Sequence, residues 1–261
     1  MTHAAITQYV DVAQLVLYLF WALFAYLVYY LQQESKREGF PLENHVAGGR
    51  SYLTSGLIGM PTPKVYKLAD GTSVQAPSGK VSPQKLHARP TTRFNGAALE
   101  PTGNPMLDGV GPGSYADRAD KPELTTHGEP LLAPLRAARD FSVSKNDTNP
   151  IGLNVVGADG VVAGRVVDVW LDKAEMLFRH LEVEVTTSGA NSMKRHVLLP
   201  INFARISKAN VKVKAILGGQ FALVPGLKNP DVITMLEEEK IMAYFGGGTL
   251  YATPDRQEPL V

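Results

Sequence analysis

Apolar side chains are most concentrated near the start of the sequence, in residues 12–31, where Gln14 is the one strongly polar residue. A helix of about 20 residues rises about 30 Å, which matches the hydrocarbon core of a bilayer. The segment therefore predicts a transmembrane helix. The first basic residues, Lys36 and Arg37, follow it. The positive-inside rule then predicts that residues 1–11 lie outside and that the bulk of the chain is cytoplasmic.

The next part of the chain, residues 32–129, has little regular periodicity and many glycines and prolines. The transmembrane helix is expected to continue past the bilayer and to end at Gly39. One hairpin is predicted where residues 64–68 and 72–75 flank the Asp70-Gly71 turn. Because this irregular segment holds too many apolar residues for a free linker, it is predicted to lie extended along a larger partner.

A different pattern covers residues 130–225, where short apolar and β-branched runs have the length of strands. These runs fall at residues 154–172, 181–185, 196–201 and 211–216. Four to six short strands with glycine turns predict a small, strongly curved sheet or barrel. Residues 226–261 are predicted to hold one helix, with Asn229 as its N-cap, Pro230 in its first turn and Gly246 to Gly248 as its end. The fold class is thus a membrane-anchored α+β chain.

Composition excludes several kinds of function. Lys and Arg together number 26 and Asp and Glu 25, a net charge of +1, so no field that would attract nucleic acid is expected. The chain has no Cys, which removes disulfides, thiolate metal sites and thiol nucleophiles. Phosphate-binding loops, dinucleotide fingerprints, serine-hydrolase elbows and zinc-protease motifs are absent from the sequence as well. We therefore predict no catalytic residue and no metal ligand set.

Two groups of polar residues remain as candidates for chemistry. His127 and Glu129 lie two residues apart in a loop, a spacing that suits holding a metal ion or passing protons, although two solvated side chains are the commoner outcome. The second group is an acidic cluster that spans two predicted strands and the turn between them. Its spacing alone favours a solvated face, and its members are Asp168, Asp172, Glu175, Glu182 and Glu184.

Long ordered strings in the sequence resemble the photosynthetic reaction-centre H subunits of purple bacteria. The first, YLQQESKREGFPLE at residues 30–43, resembles the membrane exit of that family. Further matches extend along nearly the whole chain. They are PTGNPMLDGVGPGSYADR at 101–118, NPIGLNVVGADGVVAGRVVDVWLD at 149–172, FRHLEVEV at 178–185 and LEEEKIMAYFGGGTLYATP at 236–254.

The resemblance implies a PRC-barrel-like β domain that caps the L and M subunits on the cytoplasmic side. It implies a non-catalytic subunit that stabilises the quinone sites and conducts protons to the secondary quinone during light-driven electron transfer. No cofactor is expected on this chain alone, because bacteriochlorophyll, bacteriopheophytin, quinones and iron belong to the partner subunits. The light-harvesting 1 antenna, a cytochrome and membrane lipids are further expected partners of this single-pass protein of the bacterial inner (intracytoplasmic) membrane.

Domain limits follow from the pattern and the resemblance together. They are a periplasmic N-terminus at 1–11, the transmembrane helix at 12–31, an extended partner-bound cytoplasmic segment at 32–129, the PRC-barrel-like domain at 130–225, and the C-terminal helix and tail at 226–261.

The resemblance also assigns proton transfer to Glu175, Asp172, His127 and Glu129. Glu175 matches the glutamate that the family uses beneath the secondary quinone, where burial and the neighbouring Asp172 are expected to raise its pKa. Thr125, His127 and Glu129 match the loop through which protons reach the family's interior. An ion pair with Arg179 is the alternative role for Glu175.

A second hypothesis is a membrane-tethered PRC-barrel adaptor that binds another protein or RNA. PRC-barrel-like domains also occur in soluble ribosome-maturation factors, where they bind such partners. The transmembrane segment, the neutral net charge and the matching strings outside the barrel argue against it. A membrane-anchored hydrolase lacks any arrangement of nucleophile and base.

Overall fold

The apolar segment near the N-terminus forms one helix, α1 (Val12–Ser35), in the computed structural model of the chain. Asp11 caps it, because its side chain accepts a hydrogen bond of 2.7 Å from the backbone N–H of Gln14. The helix is long and apolar enough to cross a membrane, and none of its residues is buried. It continues past residue 31 as predicted, and Gly39 follows in the left-handed region at φ 73°.

The structure describes residues 11–39, 43–44, 49–50, 59–78, 85–94, 96–186 and 194–257. The chain divides into two compact units. One unit comprises residues 1–83 and 92–97, and the other comprises residues 84–91 and 98–261. The predicted domain limits at 129, 130 and 225 stay predictions.

The first unit contains α1 and two short antiparallel pairs. These pairs are β1 (Glu43–Asn44) with β2 (Gly49–Arg50), and β3 (Lys64–Lys67) with β4 (Ser73–Ala76). The second pair is the predicted hairpin, and Asp70 holds its turn by accepting hydrogen bonds from the N–H and hydroxyl of Thr72. Arg37 donates to the Ala76 carbonyl of β4 at 3.4 Å, and Lys64 of β3 pairs with Glu34 at 2.8 Å, so the end of α1 is tied to this hairpin.

The second unit begins with the pair β5 (Ala88–Pro90) and β6 (Leu99–Pro101), followed by a seven-stranded sheet. The sheet strands are β7 (Leu132–Pro134), β8 (Asn154–Val156), β9 (Val162–Asp172), β10 (Leu177–Thr186), β11 (Lys194–Pro200), β12 (Ala204–Ile206) and β13 (Asn210–Val213). Their order is β11-β10-β9-β8-β13-β12, and β7 also pairs with β9. All pairs are antiparallel except β8 with β13, which is parallel.

The sheet is strongly curved, as the strand pattern predicts. Its outermost strands, β11 and β12, are joined by a single 3-10 turn of three residues, Ile201–Phe203, so the two ends of the sheet must approach each other. Apolar side chains of β9, β10, β11 and β13 fill the enclosed space together with one face of a C-terminal helix. The largest fully buried side chains include Trp170, Tyr244, Phe221 and Phe245.

The C-terminal helix, α2 (Met235–Tyr251), differs from the prediction at both ends. Its N-cap is Thr234 and not Asn229, because Thr234 and Glu237 form a reciprocal capping box. Gly246 to Gly248 lie inside the helix and do not end it. They let the helix backbone approach its neighbours closely: a Cβ on Gly246 would lie 2.6 Å from the Pro112 carbonyl oxygen. Packing therefore overrides the low helix propensity of glycine here.

Candidate functional site

Asp172 and Glu175 lie at the tight turn that connects β9 to β10. The Asp172 carboxylate accepts hydrogen bonds from the backbone N–H groups of Ala174 at 2.9 Å and of Glu175 at 3.0 Å. Met176 completes the turn with a positive φ of 55°. Asp172 is 2% exposed, whereas the side chain of Glu175 is exposed in this chain. The turn thus holds one acid inside the fold and directs the next one outward.

His127 and Glu129 lie in a second tight turn, which starts at Thr125. The backbone N–H of Thr125 donates to the Glu129 carbonyl at 2.7 Å, and Gly128 supplies the left-handed conformation at φ 82°. The Thr125 hydroxyl accepts from the N–H groups of His127 and Glu129, at 3.3 Å each. Both side chains of the predicted pair are exposed, so this turn presents them to solvent.

Lys173 brings the two turns together. Its backbone N–H donates to the Leu131 carbonyl at 3.0 Å, and its Nζ lies 3.0 Å from Oε2 of Glu129. The pairing of β7 with β9 reinforces this contact, with Leu132 opposite Asp172. The ammonium of Lys173 holds the pKa of Glu129 below its ordinary value. Residues that the sequence separates by more than 40 positions therefore form one polar surface.

A buried polar cluster continues inward from Asp172. Oδ2 of Asp172 lies 3.6 Å from Nη1 of Arg179, whose Nη2 donates to Oε1 of Glu238 at 3.1 Å. Arg179, the alternative partner of Glu175, thus pairs with other acids. Burial raises the pKa of Glu238, although Arg179 opposes that shift. His180 lies beside them, 3.9 Å from Glu238, and neither of its ring nitrogens has a hydrogen-bond partner in the described part of the chain.

The electrostatics of His180 follow from its burial. The side chain is 1% exposed, and desolvation together with the charge of Arg179 lowers its pKa from 6.5 to about 3. His180 is therefore neutral at neutral pH, with the charge of Arg179 beside it and Oε1 of Glu238 3.9 Å from its Nε2. Such a cluster can hold charge and exchange protons inside the barrel domain.

The acidic cluster is not the solvated face that its spacing favours. Asp168 is 7% exposed and Glu182 is 3% exposed, so with Asp172 three of its five members are buried. Only Glu175 is exposed, and Glu184 is half-buried and paired with Lys194. The expectation was wrong because Arg136 and His196, which come from other segments, cover this face together with Trp170.

Glu182 is the centre of that covering network. Its Oε2 accepts hydrogen bonds from Arg136 Nη1 at 2.6 Å and from the indole of Trp170 at 2.9 Å, and its Oε1 lies 2.7 Å from Nδ1 of His196. Arg136 also donates to Asp168 at 2.9 Å. Every oxygen of the buried carboxylate therefore has a partner, which is the condition for burying a charge without a large cost.

Sequence reasoning missed Arg136, His180, His196 and Glu238. A signal for one of them was present, since His180 is a polar residue within a strand that is otherwise rich in apolar residues. Their partners come from distant segments, which no local pattern identifies. Among residues that the structure describes, no three His, Asp or Glu side chains converge as a metal site.

Two family models match the chain. The first is described as the photosynthetic reaction centre H-chain N-terminal region and covers residues 4–137, more than half of the sequence. The second is the PRC-barrel domain and covers residues 143–219, which hold β8 to β13, six of the seven strands of the curved sheet. Together with the apolar helix α1 they confirm the predicted fold of a membrane-anchored chain with a PRC-barrel. The chain belongs to the photosynthetic reaction centre H-chain family.

Proposed function

We propose that this chain caps the L and M subunits of a reaction centre on the cytoplasmic side, stabilises their quinone sites and conducts protons to the secondary quinone. The match to the H-chain family over residues 4–137 carries this proposal. In it, α1 crosses the membrane with its N-terminus in the periplasm. Bacteriochlorophyll, bacteriopheophytin, quinones and iron are bound by the partner subunits, and the light-harvesting 1 antenna and a cytochrome complete the assembly.

The geometry around Lys173 supports the proton-conducting role. Reduction of a quinone to a quinol consumes two protons, and a quinone covered by protein must receive them through groups that bind and release protons. His127 and Glu129 are exposed on one turn, and Lys173 links that turn directly to the turn of Asp172 and Glu175. The polar surface thus joins the turn of His127 and Glu129 to the turn that carries Glu175.

Glu175 is the residue that we place next to the quinone. Its side chain is exposed in this chain, so it is free to be covered by the partner subunits in the assembled complex. Asp172 orients it by accepting the Glu175 N–H and stays inside the fold beside Arg179. Burial raises the pKa of Glu238, and this residue provides a second proton-binding group behind Asp172.

Flash spectroscopy of the intact complex tests this role. Glu175→Gln keeps the shape and hydrogen bonding of the side chain but removes the titrating group. The second, proton-coupled electron transfer to the quinone should slow by about a hundredfold or more, the range for loss of a general acid. The first electron transfer should change much less. Asp147→Asn, an exposed carboxylate of the same compact unit, should leave both rates unchanged. Wild-type rates for both transfers in Glu175→Gln would remove Glu175 from the path.

A further inference from the structure

One stretch of the barrel domain has a charge distribution that the proposed function does not use. Residues 185–230 contain no Asp or Glu but seven Lys or Arg, although the whole chain carries a net charge of only +1. Three of the seven have internal partners. Lys194 pairs with Glu184, Lys228 pairs with Asp120, and Arg195 donates to the carbonyls of Ala222 and Val224.

The other four cations lie on the hairpin of β12 and β13 and directly after it. They are Arg205, Lys208, Lys212 and Lys214, and all four side chains are exposed. Within the described ranges, no hydrogen bond or ion pair engages these four side chains. Arg205 and Lys212 are directly opposite each other in the register of the two strands. Because like charges in that position repel, the hairpin keeps an arrangement that costs stability unless an anion lies nearby.

A concave surface lies beside this hairpin. Its lining includes small apolar side chains, such as Ala158, Ala204 and Ala215, and the backbone of the turn at residues 157–160. Among the residues that the structure describes, four cations line it and no carboxylate does; these cations are Arg205, Lys212, Lys214 and Arg256. We call this concave surface with its four cations the basic basin.

The guanidinium of Arg256 is fixed at one side of the basic basin. It donates to the carbonyls of Ala215 and Gly248, at 2.7 Å each, and to the carbonyl of Lys214 at 3.0 Å. These acceptors are neutral, so they hold the group in place without cancelling its charge. Asp159 and Asp255 flank lining residues in the sequence, and the carboxylate of Asp159 accepts from the N–H groups of Val161 and Gly218.

We infer that the basic basin binds an acidic segment of another protein, with carboxylates against the four cations and an apolar side chain against the alanines. Charge complementarity requires the partner segment to carry negative charge. The concave shape favours a protein segment over a bilayer surface, since a flat surface would reach the exposed rim cations but not the apolar floor. Apolar centres with polar rims are the usual anatomy of protein interfaces.

The test uses the intact membrane complex in phosphatidylcholine nanodiscs. The probe is a short fluorescein-labelled peptide in which glutamates alternate with leucines, and its control is the same peptide with glutamine in place of glutamate. Fluorescence anisotropy measures binding. The glutamate peptide should bind, and its affinity should fall about tenfold or more when ionic strength rises from about 0.05 M to about 0.5 M. The glutamine peptide should bind at least about tenfold more weakly.

Charge reversals locate the site. Lys212→Glu/Lys214→Glu should reduce the affinity for the glutamate peptide about tenfold or more. Arg139→Glu/Lys145→Glu makes the same change in net charge at exposed positions outside the basic basin, and should alter the affinity less than about twofold. The first double variant should also fold, because Lys212→Glu replaces repulsion with attraction opposite Arg205. Lys212→Gln/Lys214→Gln, a milder change, should reduce the affinity about threefold or more.

Three results would overturn the inference. The first is equal loss of peptide affinity in the two charge-reversed double variants. The second is equal binding of the glutamate and glutamine peptides. The third is capture of phosphatidylglycerol vesicles through Lys212 and Lys214 without binding of the peptide, which would make the surface a membrane contact.

Discussion

The guanidinium of Arg136 joins parts of the barrel domain that are far apart in the sequence. It contacts Asp168 on β9, Glu182 on β10 and Asp231 ahead of α2, at 2.9, 2.6 and 2.9 Å. Glu182 is almost fully buried, so the loss of its cationic partner leaves a charge without compensation inside the domain. Removing one member of a buried ion pair destabilises a protein strongly. Replacing both members with apolar residues, by contrast, often costs little stability.

Arg136→Met should therefore lower the free energy of unfolding by about 3 kcal/mol, near the low end for a broken buried ion pair because the side chain of Arg136 is 39% exposed. Denaturant unfolding of the full chain in detergent measures this. Arg139→Met, at an exposed position three residues on, should change stability by less than about 0.5 kcal/mol. If the two variants have equal midpoints, the network does not stabilise the domain.

His180 gives the chain a pH-dependent stability. Its pKa is about 3 in the folded state and 6.5 in the unfolded reference, so below pH 6.5 the unfolded chain binds a proton that the folded chain excludes. The stability from this group is complete above pH 6.5 and is lost as the pH falls toward 3, at about 1.4 kcal/mol per pH unit.

Unfolding of the wild type and of His180→Leu between pH 7.5 and pH 5, roughly the range around the reference pKa of histidine, tests this linkage. The slope of the unfolding free energy against pH should be smaller in the variant, by the amount that corresponds to about one bound proton. His87→Leu removes an exposed histidine and should keep the wild-type slope, since folding leaves that ring in solvent. Parallel curves for wild type and His180→Leu would contradict the linkage.

At the scale of elements, α2 shows how close packing sets the sequence of a helix. Gly246, Gly247 and Gly248 face the 3-10 turn at residues 111–113 and the segment after β13. A Cβ on Gly248 would lie 2.3 Å from Cγ2 of Ile216 and 2.7 Å from the Ala215 carbonyl oxygen. The glycines therefore lower helix propensity but permit the contact between α2 and the barrel.

Gly248→Ala should destabilise the chain by about 1–2 kcal/mol, because overpacking outweighs the gain of about 1 kcal/mol in helix propensity. Thermal unfolding of the full chain in detergent measures this change. Thr249→Ala is the matched control, since its side chain is exposed on the same turn. A higher melting temperature for Gly248→Ala would show that Ile216 moves aside without cost.

The same elements show what the sequence could predict. Strands β9 and β10 were predictable because their alternating or continuous apolar runs have no helical period. The start of α2 was predicted at Asn229, which has Val232 three residues on and so lacks the Glu or Gln of a capping box. The sequence did contain a full capping box at Thr234 and Glu237, where the helix begins. The burial of Glu182 was beyond sequence reasoning, because Arg136 lies 46 positions away and covers it only after folding.

At the scale of the whole molecule, much apolar surface is left uncovered by the chain itself. The helix α1 buries none of its side chains, and Leu23 and Tyr26 are each more than 60% exposed. The hairpin of β3 and β4 also exposes Val65, Tyr66 and Val74. Exposed apolar surface of this extent is typical of membrane and partner contacts.

A chain without residues 1–35 should therefore aggregate or remain partly disordered when it is produced alone, because its remaining apolar surface lacks partners. Size-exclusion chromatography with light scattering gives the oligomeric state, and calorimetry gives the cooperativity of unfolding. The full chain in its assembled complex is the reference and should elute as one defined species. A monomeric truncated chain with one sharp transition would contradict this expectation.

The parallel pairing of β8 with β13 has a consequence for biosynthesis. Asn154 pairs opposite Asn210, so β8 leaves the ribosome well before the strand that covers its edge. At about 5–20 residues per second, several seconds separate the two events. Because α1 emerges earlier still, each new chain passes through a stage in which the anchor exists and the barrel is open. An unpaired strand edge at that stage is where aggregation competes with assembly.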